Sequence, residues 1–248
     1  MFQENESQPL RNVEDGSQPP EELTDKLETA VRHGFVRKVF AIVGVQLAIT
    51  ALISYPFVFY GEHAKIFIQN NQALLTICMM IPIALICYSF CDPSIAREYP
   101  KNYFFIGVIT VCFGMLVGAS CAMYTTQSVL LVAALTAGIV ISLVLFACQT
   151  TYDFTGMGPY LFSIMIVLCL VSFVMMFLPY SRPMEVAYSG IAALLFSFYI
   201  VYDTQLIVGG KHSRHRFSVD EYCFAALNLY MDIINLFLHL LRIMGDRR

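Results

Sequence analysis

Two kinds of residue are scarce in this chain of 248 residues: tryptophan is absent, and charged side chains make up only 13%. Soluble domains carry about 25% charged residues, whereas here hydrophobic residues reach 58%. The shortage of charge therefore excludes an ordinary soluble domain and predicts a membrane protein. It also excludes a nucleic-acid surface, which needs a basic face. Without tryptophan, any aromatic belt at the membrane boundary must come from the fourteen tyrosines.

The few charges are concentrated at the start of the chain. Residues 1–38 hold eight acidic and five basic residues, which accounts for the whole net charge of −3. Residues 1–20 are polar and predicted to be disordered. Beyond Pro20 the pattern indicates either a short helix on the membrane surface, ending at Arg37 and Lys38, or a solvated linker. We therefore expect a disordered to amphipathic cytoplasmic tail at 1–34 and a membrane domain at 35–248.

Seven apolar stretches are long enough to span a bilayer, which requires about 20 residues. They cover residues 39–60, 73–91, 103–122, 128–148, 159–179, 186–207 and 222–243. The connections between them are short, and short connections join antiparallel neighbours in a compact bundle. The sequence therefore predicts an all-α polytopic membrane protein with a seven-helix bundle. The seventh stretch stands apart because polar residues interrupt its apolar run.

The positions of lysine and arginine predict the orientation, since basic residues collect on the cytoplasmic side. The tail, the second loop and the sixth loop contain nine of them: Lys26, Arg32, Arg37, Lys38, Arg97, Lys101, Lys211, Arg214 and Arg216. The first and fifth loops contain only Lys65 and Arg182, and the third loop has none. We therefore expect a cytoplasmic N-terminus.

The C-terminal bases conflict with this pattern. If the seventh stretch spans the membrane, Arg242, Arg247 and Arg248 lie on the side opposite to the other bases. If it re-enters, they lie on the cytoplasmic side with the rest. Charge favours a re-entrant helix and length favours a span, so both interpretations stay open.

Two acidic residues lie well inside apolar stretches, Asp203 in the sixth and Asp232 in the seventh. A charged side chain at bilayer depth costs at least about 2.5–3.5 kcal/mol on insertion scales. If the two carboxyl groups meet in a medium of low dielectric constant, they cannot both ionise cheaply and will share a proton. Such a pair would be a proton-sensitive latch and, when ionised, a site for a hard cation such as Ca²⁺. A lone aspartate at the edge of a span, such as Asp203, could instead have a snorkelling or capping role.

A polar stripe accompanies Asp232 in the seventh stretch. Asn228, Asp232, Asn235 and His239 recur at helical spacing and share one face, which predicts that they face a protein interior or a water-filled path. The alternative is a ladder of hydrogen bonds between helices. The first stretch has a smaller counterpart in the four-residue spacing of Gln46, Thr50 and Ser54.

The cysteines and one glycine pair are interpreted as packing features. None of the eight cysteines forms a CxxC pair, and Cys87-x3-Cys91 lacks histidine partners for zinc. We therefore expect small packing side chains and no cofactor. Gly114 and Gly118 have the spacing that allows two helices to approach closely.

The C-terminal third resembles the transmembrane Bax inhibitor motif family, also called Lifeguard proteins, and within it the Golgi anti-apoptotic branch. The matching segments are 151–154, 202–205, 220–222, 229–237 and 240–242, including Tyr202-Asp203-Thr204-Gln205 and Tyr230-Met231-Asp232-Ile233. The resemblance covers residue 35 to the end and leaves out the tail.

This resemblance implies a seven-helix bundle with the last helix central. It also implies a pH-sensitive Ca²⁺ leak from intracellular stores, in the Golgi or endoplasmic reticulum membrane, that suppresses cell death. Asp203 and Asp232 match the family's paired aspartates, which bind Ca²⁺ transiently, and Asp220 or Glu221 matches an acidic loop position linked to the pore. Asn228, Asn235 and His239 are further candidates for the ion path. Bacterial relatives hold the pair with an arginine in the second span, whereas residues 73–91 contain no base.

Other functions fit the sequence less well. An intramembrane aspartyl protease would place Gly-x-Gly before its second aspartate, but Tyr230 and Met231 precede Asp232. A retinal pigment needs a lysine in the seventh helix, and residues 222–243 contain none. We therefore do not expect an enzyme. The serious alternative is a non-conducting membrane scaffold that regulates cell death through membrane-protein partners, with its aspartates only packing the bundle.

Overall fold

The computed structural model describes residues 21–209 and 216–248, and within them the chain forms nine α-helices and no strand. The helices are α1 (Glu21–Phe59), α2 (Gly61–Asn70), α3 (Gln72–Cys91), α4 (Ser94–Arg97), α5 (Lys101–Cys121), α6 (Thr126–Gln149), α7 (Gly158–Met175), α8 (Arg182–Val208) and α9 (Tyr222–Met244). Short 3-10 turns at Thr155–Met157 and Val219–Glu221 precede α7 and α9. The described residues thus form an all-α fold.

Seven of these helices are long and apolar enough to cross a membrane: α1, α3, α5, α6, α7, α8 and α9. Each overlaps one of the predicted stretches, so the all-α polytopic fold class is confirmed. The sequence did not predict the short helices α2 and α4, which lie in segments interpreted as loops. Their apolar content is too small to separate them from connecting segments.

The first helix is longer than predicted. α1 runs without a break through Arg37 and Lys38 and has 39 residues, which corresponds to about 58 Å. A helix does begin after Pro20, as one of the two interpretations predicted, but it is not separate from the first span because residues 21–38 are turns of the same helix. The linker alternative is therefore wrong. Residues 1–20, predicted to be disordered, lie outside the described residues.

The last helix is the centre of the bundle. α9 packs against α8, α1, α6 and α5, and it divides the buried core into two clusters. One cluster joins α9 to α1, α7 and α8, and the other joins it to α5 and α6. By contrast, most of α6 and α7 faces outward. The central position implied by the resemblance is thus confirmed.

α9 crosses the whole bundle. At its start, which we call the proximal end, Arg97 forms a 2.6 Å ion pair with Glu221 beside the α4–α5 connection. Beyond its end, which we call the distal end, Thr125 N donates to Asp246 O at 2.9 Å and Arg248 N donates to Met123 O at 2.9 Å. The α5–α6 connection lies at the distal end. The C-terminus therefore lies at the end of the bundle opposite to the start of α9, as expected for a span and not for a re-entrant helix.

The distal end accommodates its arginines by pairing them. Arg247 forms a 2.6 Å ion pair with Glu185, and Arg248 donates to Val58 O at 3.0 Å. Arg182 donates to the carbonyl oxygens of Arg242 and Ile243 in the last turn of α9. A positive charge at this position is stabilised by the negative end of the helix dipole. Two of the three bases that argued for re-entry, Arg247 and Arg248, thus make local contacts.

The close approach predicted at Gly114 and Gly118 occurs between α5 and α1. A Cβ atom at Gly118 would lie 2.7 Å from the ring of Phe57, and one at Gly114 would lie 3.0 Å from Ile53 Cδ1. Any larger side chain would push the two helices apart. The glycine pair therefore sets the α1–α5 distance.

Candidate cation-binding cleft

Neighbouring helices bring the two predicted acidic residues together. Asp203 lies in the last two turns of α8 and Asp232 lies near the middle of α9, and these two helices form the most extensive helix contact in the described fold. Both side chains are buried, with exposed fractions of 4% and 8%. The structure thus brings together two acidic residues that are 29 positions apart in sequence.

The two carboxyl groups are close enough to influence each other electrostatically. No N–H or O–H group of the described residues donates to Asp232 Oδ2, which is buried. A carboxylate has no proton to donate, so a hydrogen bond between these groups requires one shared proton. In that state the pair carries a charge of −1, and without the proton it would carry −2 and attract a cation.

The pair faces a cleft of about 530 Å³ between α7, α8 and α9, which we call the α8–α9 cleft. Its lining is mainly apolar and aromatic, with a few polar side chains. α7 forms the outer wall, and Cys169 on that helix both lines the cleft and is exposed at the surface. The cleft therefore reaches the lipid-facing surface beside α7.

The predicted polar stripe of α9 lines this cleft. Asn228, Asp232, Asn235 and His239 all contribute to its wall, over about 16 Å along the helix axis. Asn235 donates to Met231 O of its own helix at 2.8 Å. The ring of His239 stacks on Phe196 with centroids 5.8 Å apart, and its buried Nδ1 has no hydrogen-bond partner among the described residues. The stripe thus provides polar groups at several depths.

An aromatic wall on α8 was not predicted. Tyr188, Phe196, Tyr199 and Tyr202 line the cleft together with Asp203. The signal was present in the sequence, because Tyr188, Phe196, Tyr199 and Asp203 follow helical spacing on one face. It was hidden because aromatic residues at that spacing usually indicate core packing.

The acidic loop residues Asp220 and Glu221 lie apart from the cleft. Glu221 closes a capping box with Ser218 at the start of α9 and pairs with Arg97, while Asp220 is exposed. Neither contributes to the cleft wall. Their described contacts are those of a helix start at the proximal end, and their role in an ion path stays a prediction.

The proximal end also fixes the last turn of α8. Arg32 of α1 donates to Leu206 O at 2.5 Å, to Val208 O at 3.0 Å and to Phe217 O at 2.8 Å. Gln205 accepts from Phe154 N at 2.7 Å and donates to Tyr152 O. The turn that carries Asp203 is thereby held to α1 and to the α6–α7 connection.

Among the residues that the structure describes, no lysine or arginine lines the cleft, and α3 carries no base. Within the described ranges, no point gathers three or more His, Cys, Asp and Glu side chains. A cation at the pair would meet two carboxyl groups, with cleft amides nearby, and such hard oxygen atoms suit Ca²⁺.

The polar stripe of α1 has a different environment. Gln46 donates to Thr110 Oγ1 at 3.1 Å, Thr50 shares a 2.8 Å hydrogen bond with Tyr230 OH, and Ser54 donates to Gly114 O at 3.2 Å. All three are buried. This stripe is therefore a ladder of hydrogen bonds that joins α1 to α5 and α9.

Membrane-length helices around a central helix, with an acidic pair buried beside a cleft, define a multi-pass membrane protein with an intramembrane carboxylate site. Comparison with known proteins gives the family. The family model described as "Inhibitor of apoptosis-promoting Bax1" matches residues 32–248.

Individual relatives agree with this match. The chain is 36% identical to Protein LIFEGUARD 4 of Arabidopsis thaliana, covering 86% of this chain and 85% of the relative. It is 37% identical to the BI1-like protein of the same plant, covering 88% and 84%. It is 32% identical to Protein lifeguard 3 of Homo sapiens, covering 88% and 70%. The chain belongs to the Bax inhibitor family of membrane proteins, which is known for the regulation of cell death and not for enzymes.

Proposed function

We propose that this protein is a pH-sensitive Ca²⁺ leak channel of an intracellular membrane, the Golgi or the endoplasmic reticulum, with a cytoplasmic N-terminus. By lowering store calcium it suppresses programmed cell death. One observation carries the proposal: Asp203 and Asp232 are buried together at the wall of one cleft, and Asp232 Oδ2 receives no donor from the described residues. Family membership supports the cell-death part of the proposal.

The mechanism follows from competition for the pair. With one shared proton the carboxyl groups hold α8 and α9 together. Without it, two negative charges repel each other and favour Ca²⁺ between them, so Ca²⁺ and the proton compete for the same oxygen atoms. We expect the resulting shift in equilibrium to move α9 relative to α8.

Flux measurements on purified protein test this proposal. The full chain in calcium-loaded liposomes is compared with Asp203→Asn and Asp232→Asn across a range of pH. We expect flux above that of empty liposomes, with a pH response that both substitutions flatten. Asp92→Asn is the matched control, because Asp92 lies in the α3–α4 connection and binds Ser94. Unchanged flux and pH response in both cleft variants would refute the mechanism.

The orientation has its own test. Single cysteine tags before residue 10 and after Arg248, in a chain whose eight native cysteines are replaced, are labelled from each side of intact vesicles. We expect the first tag on the cytoplasmic side and the second on the luminal side, because α9 crosses the bundle. Labelling of both tags from one side would contradict this arrangement.

A non-conducting scaffold, acting through cell-death regulatory membrane proteins, is the second candidate. The α1 ladder favours it, since it shows that this bundle also uses buried polar residues for packing. Cell assays separate the two functions. If a leak protects cells, Asp232→Asn raises store calcium and removes protection together. A scaffold would keep protecting cells with the substituted pair.

A further inference from the structure

The α8–α9 cleft is larger than the carboxyl pair needs to hold a single metal ion. Its volume of about 530 Å³ lies in the range of small-molecule sites, which is roughly 300–1,000 Å³. Like those sites, it combines mainly apolar walls with a few converging polar groups. Its distal part lies beyond the reach of the pair, since His239 is seven residues, or about 10 Å, further along α9 than Asp232.

The walls around the pair are aromatic. Tyr199 and Tyr202 line the cleft on either side of the turn that carries Asp203, with ring centroids 6.4 Å apart and planes at 90°. Phe196 and Tyr188 continue the wall toward the distal end. Aromatic faces attract organic cations, whereas Ca²⁺ takes oxygen ligands. The wall is therefore suited to a ligand that is both organic and positively charged.

The charge of the pair matches a monovalent ligand. With one shared proton it carries −1, and no lysine or arginine among the described residues lines the cleft to neutralise that charge. A single ammonium group would do so without displacing the proton. Asp232 Oδ2, on a side chain that is more than nine-tenths buried, receives no donor from the described residues. An approaching N–H group, or the polarised C–H groups of a quaternary ammonium, would lie against it.

We propose that the α8–α9 cleft binds a hydrophobic organic ammonium ion, with its charge at Asp203 and Asp232 and its apolar part against Phe196 and Tyr199. The ligand enters from the lipid beside Cys169, which both lines the cleft and reaches the surface. Binding does not require that Ca²⁺ be conducted, so the proposal stands apart from the proposed function.

The experiment uses the full chain in lipid nanodiscs and benzyltrimethylammonium, whose charge does not change with pH. Binding of the labelled compound is measured at equilibrium. The site is located by mass spectrometry of N-ethylmaleimide alkylation, with Cys169 as the cleft thiol and the exposed Cys87 of α3 as the control thiol. We expect saturable binding that slows alkylation of Cys169 and leaves Cys87 unchanged. The neutral isostere neopentylbenzene, in which carbon replaces nitrogen, should give no comparable protection.

Substitutions connect binding to the named residues. Asp203→Asn and Asp232→Asn should each weaken binding at least about tenfold, and Tyr199→Leu by roughly threefold to tenfold through loss of its aromatic face. Asp92→Asn should bind like the unaltered chain. Unaltered thermal unfolding shows that each variant is folded, and Tyr199→Leu keeps both acids if the others fail to fold. Equal protection of Cys169 by neopentylbenzene, or undiminished binding in these variants, would overturn the proposal.

Discussion

Two polar stripes at helical spacing cross the same bundle and have different environments. Gln46, Thr50 and Ser54 on α1 all hydrogen bond to α5 or α9. The stripe on α9, by contrast, lines a cleft and leaves Asp232 Oδ2 and His239 Nδ1 without partners among the described residues. Gln46 Oε1 on α1 also has no hydrogen-bond partner among the described residues, so an unpartnered atom does not by itself distinguish the two stripes. The difference is that the α9 stripe borders a cleft, whereas each residue of the α1 stripe bonds to a neighbouring helix.

The same contrast appears in what surrounds each stripe. The α1 stripe lies at the interface where Gly114 and Gly118 allow close packing against α5, so there is no space for a ligand. The α9 stripe faces α7, which is the most outward-facing of the membrane-length helices described. Close packing on one side and a cleft on the other thus separate the two stripes.

The largest expected difference between the stripes is in pH response. Asp232→Asn should flatten the pH dependence of Ca²⁺ flux, which a single competing proton limits to about tenfold per pH unit. Thr50→Val, in the α1 ladder, should leave that dependence unchanged because it removes no titrating group. Flux from liposomes at several pH values measures both. An equal loss of pH response in the two variants would remove the distinction.

Gly118→Ala should give the largest loss of stability. Its new Cβ would lie 2.7 Å from Phe57, and such overpacking costs about 1–3 kcal/mol. Gly107→Ala is the matched control on α5, where a Cβ atom meets nothing within 4 Å. Unfolding titrations with denaturing detergent compare the two. If Gly118→Ala is as stable as Gly107→Ala, the glycine does not set the helix distance.

The Thr50–Tyr230 bond should contribute a smaller amount. Thr50→Val and Tyr230→Phe each remove one partner of the 2.8 Å bond, and hydrogen bonds between membrane helices average about 0.6 kcal/mol of coupling. A double-mutant cycle on the free energy of unfolding measures that coupling. Coupling of zero would mean that the ladder holds the helices by packing alone.

The smallest effect is expected at Asp92. Hydrogen bonds from Ser94 lower the pKa of Asp92 below its ordinary value of 3.8. A lowered pKa contributes stability above the ordinary pKa, and this is lost only as the pH falls through the folded value. Asp92→Asn should therefore change acid unfolding slightly and leave flux unchanged above about pH 5. A shifted flux profile in that range would disqualify Asp92 as the control.

Much of this arrangement could be predicted from sequence because charge is so scarce. In an apolar chain, Asp203 and Asp232 stand out without any structure, and the helical spacing of the α9 stripe predicts a shared face. The length of each apolar stretch also predicts the membrane helices. The two aspartates, the shared face and the membrane helices can all be predicted because they depend only on local composition and spacing.

Features that depend on tertiary contacts could not be predicted from the sequence. The crossing of α9 is decided by contacts such as Thr125 with Asp246, and the distal arginines are accommodated by partners far away in sequence, including Glu185. Whether a polar stripe packs against another helix or lines a cleft also depends on which helix lies opposite. Spacing predicts a face, but it does not predict what that face meets.

The most direct test of the central claim is proton release when Ca²⁺ binds to purified protein in weakly buffered detergent solution. If Ca²⁺ displaces the proton shared by Asp203 and Asp232, about one proton appears for each Ca²⁺ bound. Asp92→Asn should behave in the same way, and Asp203→Asn and Asp232→Asn should release none. Ca²⁺ binding by the unaltered chain without proton release, or undiminished release from both cleft variants, would contradict the account.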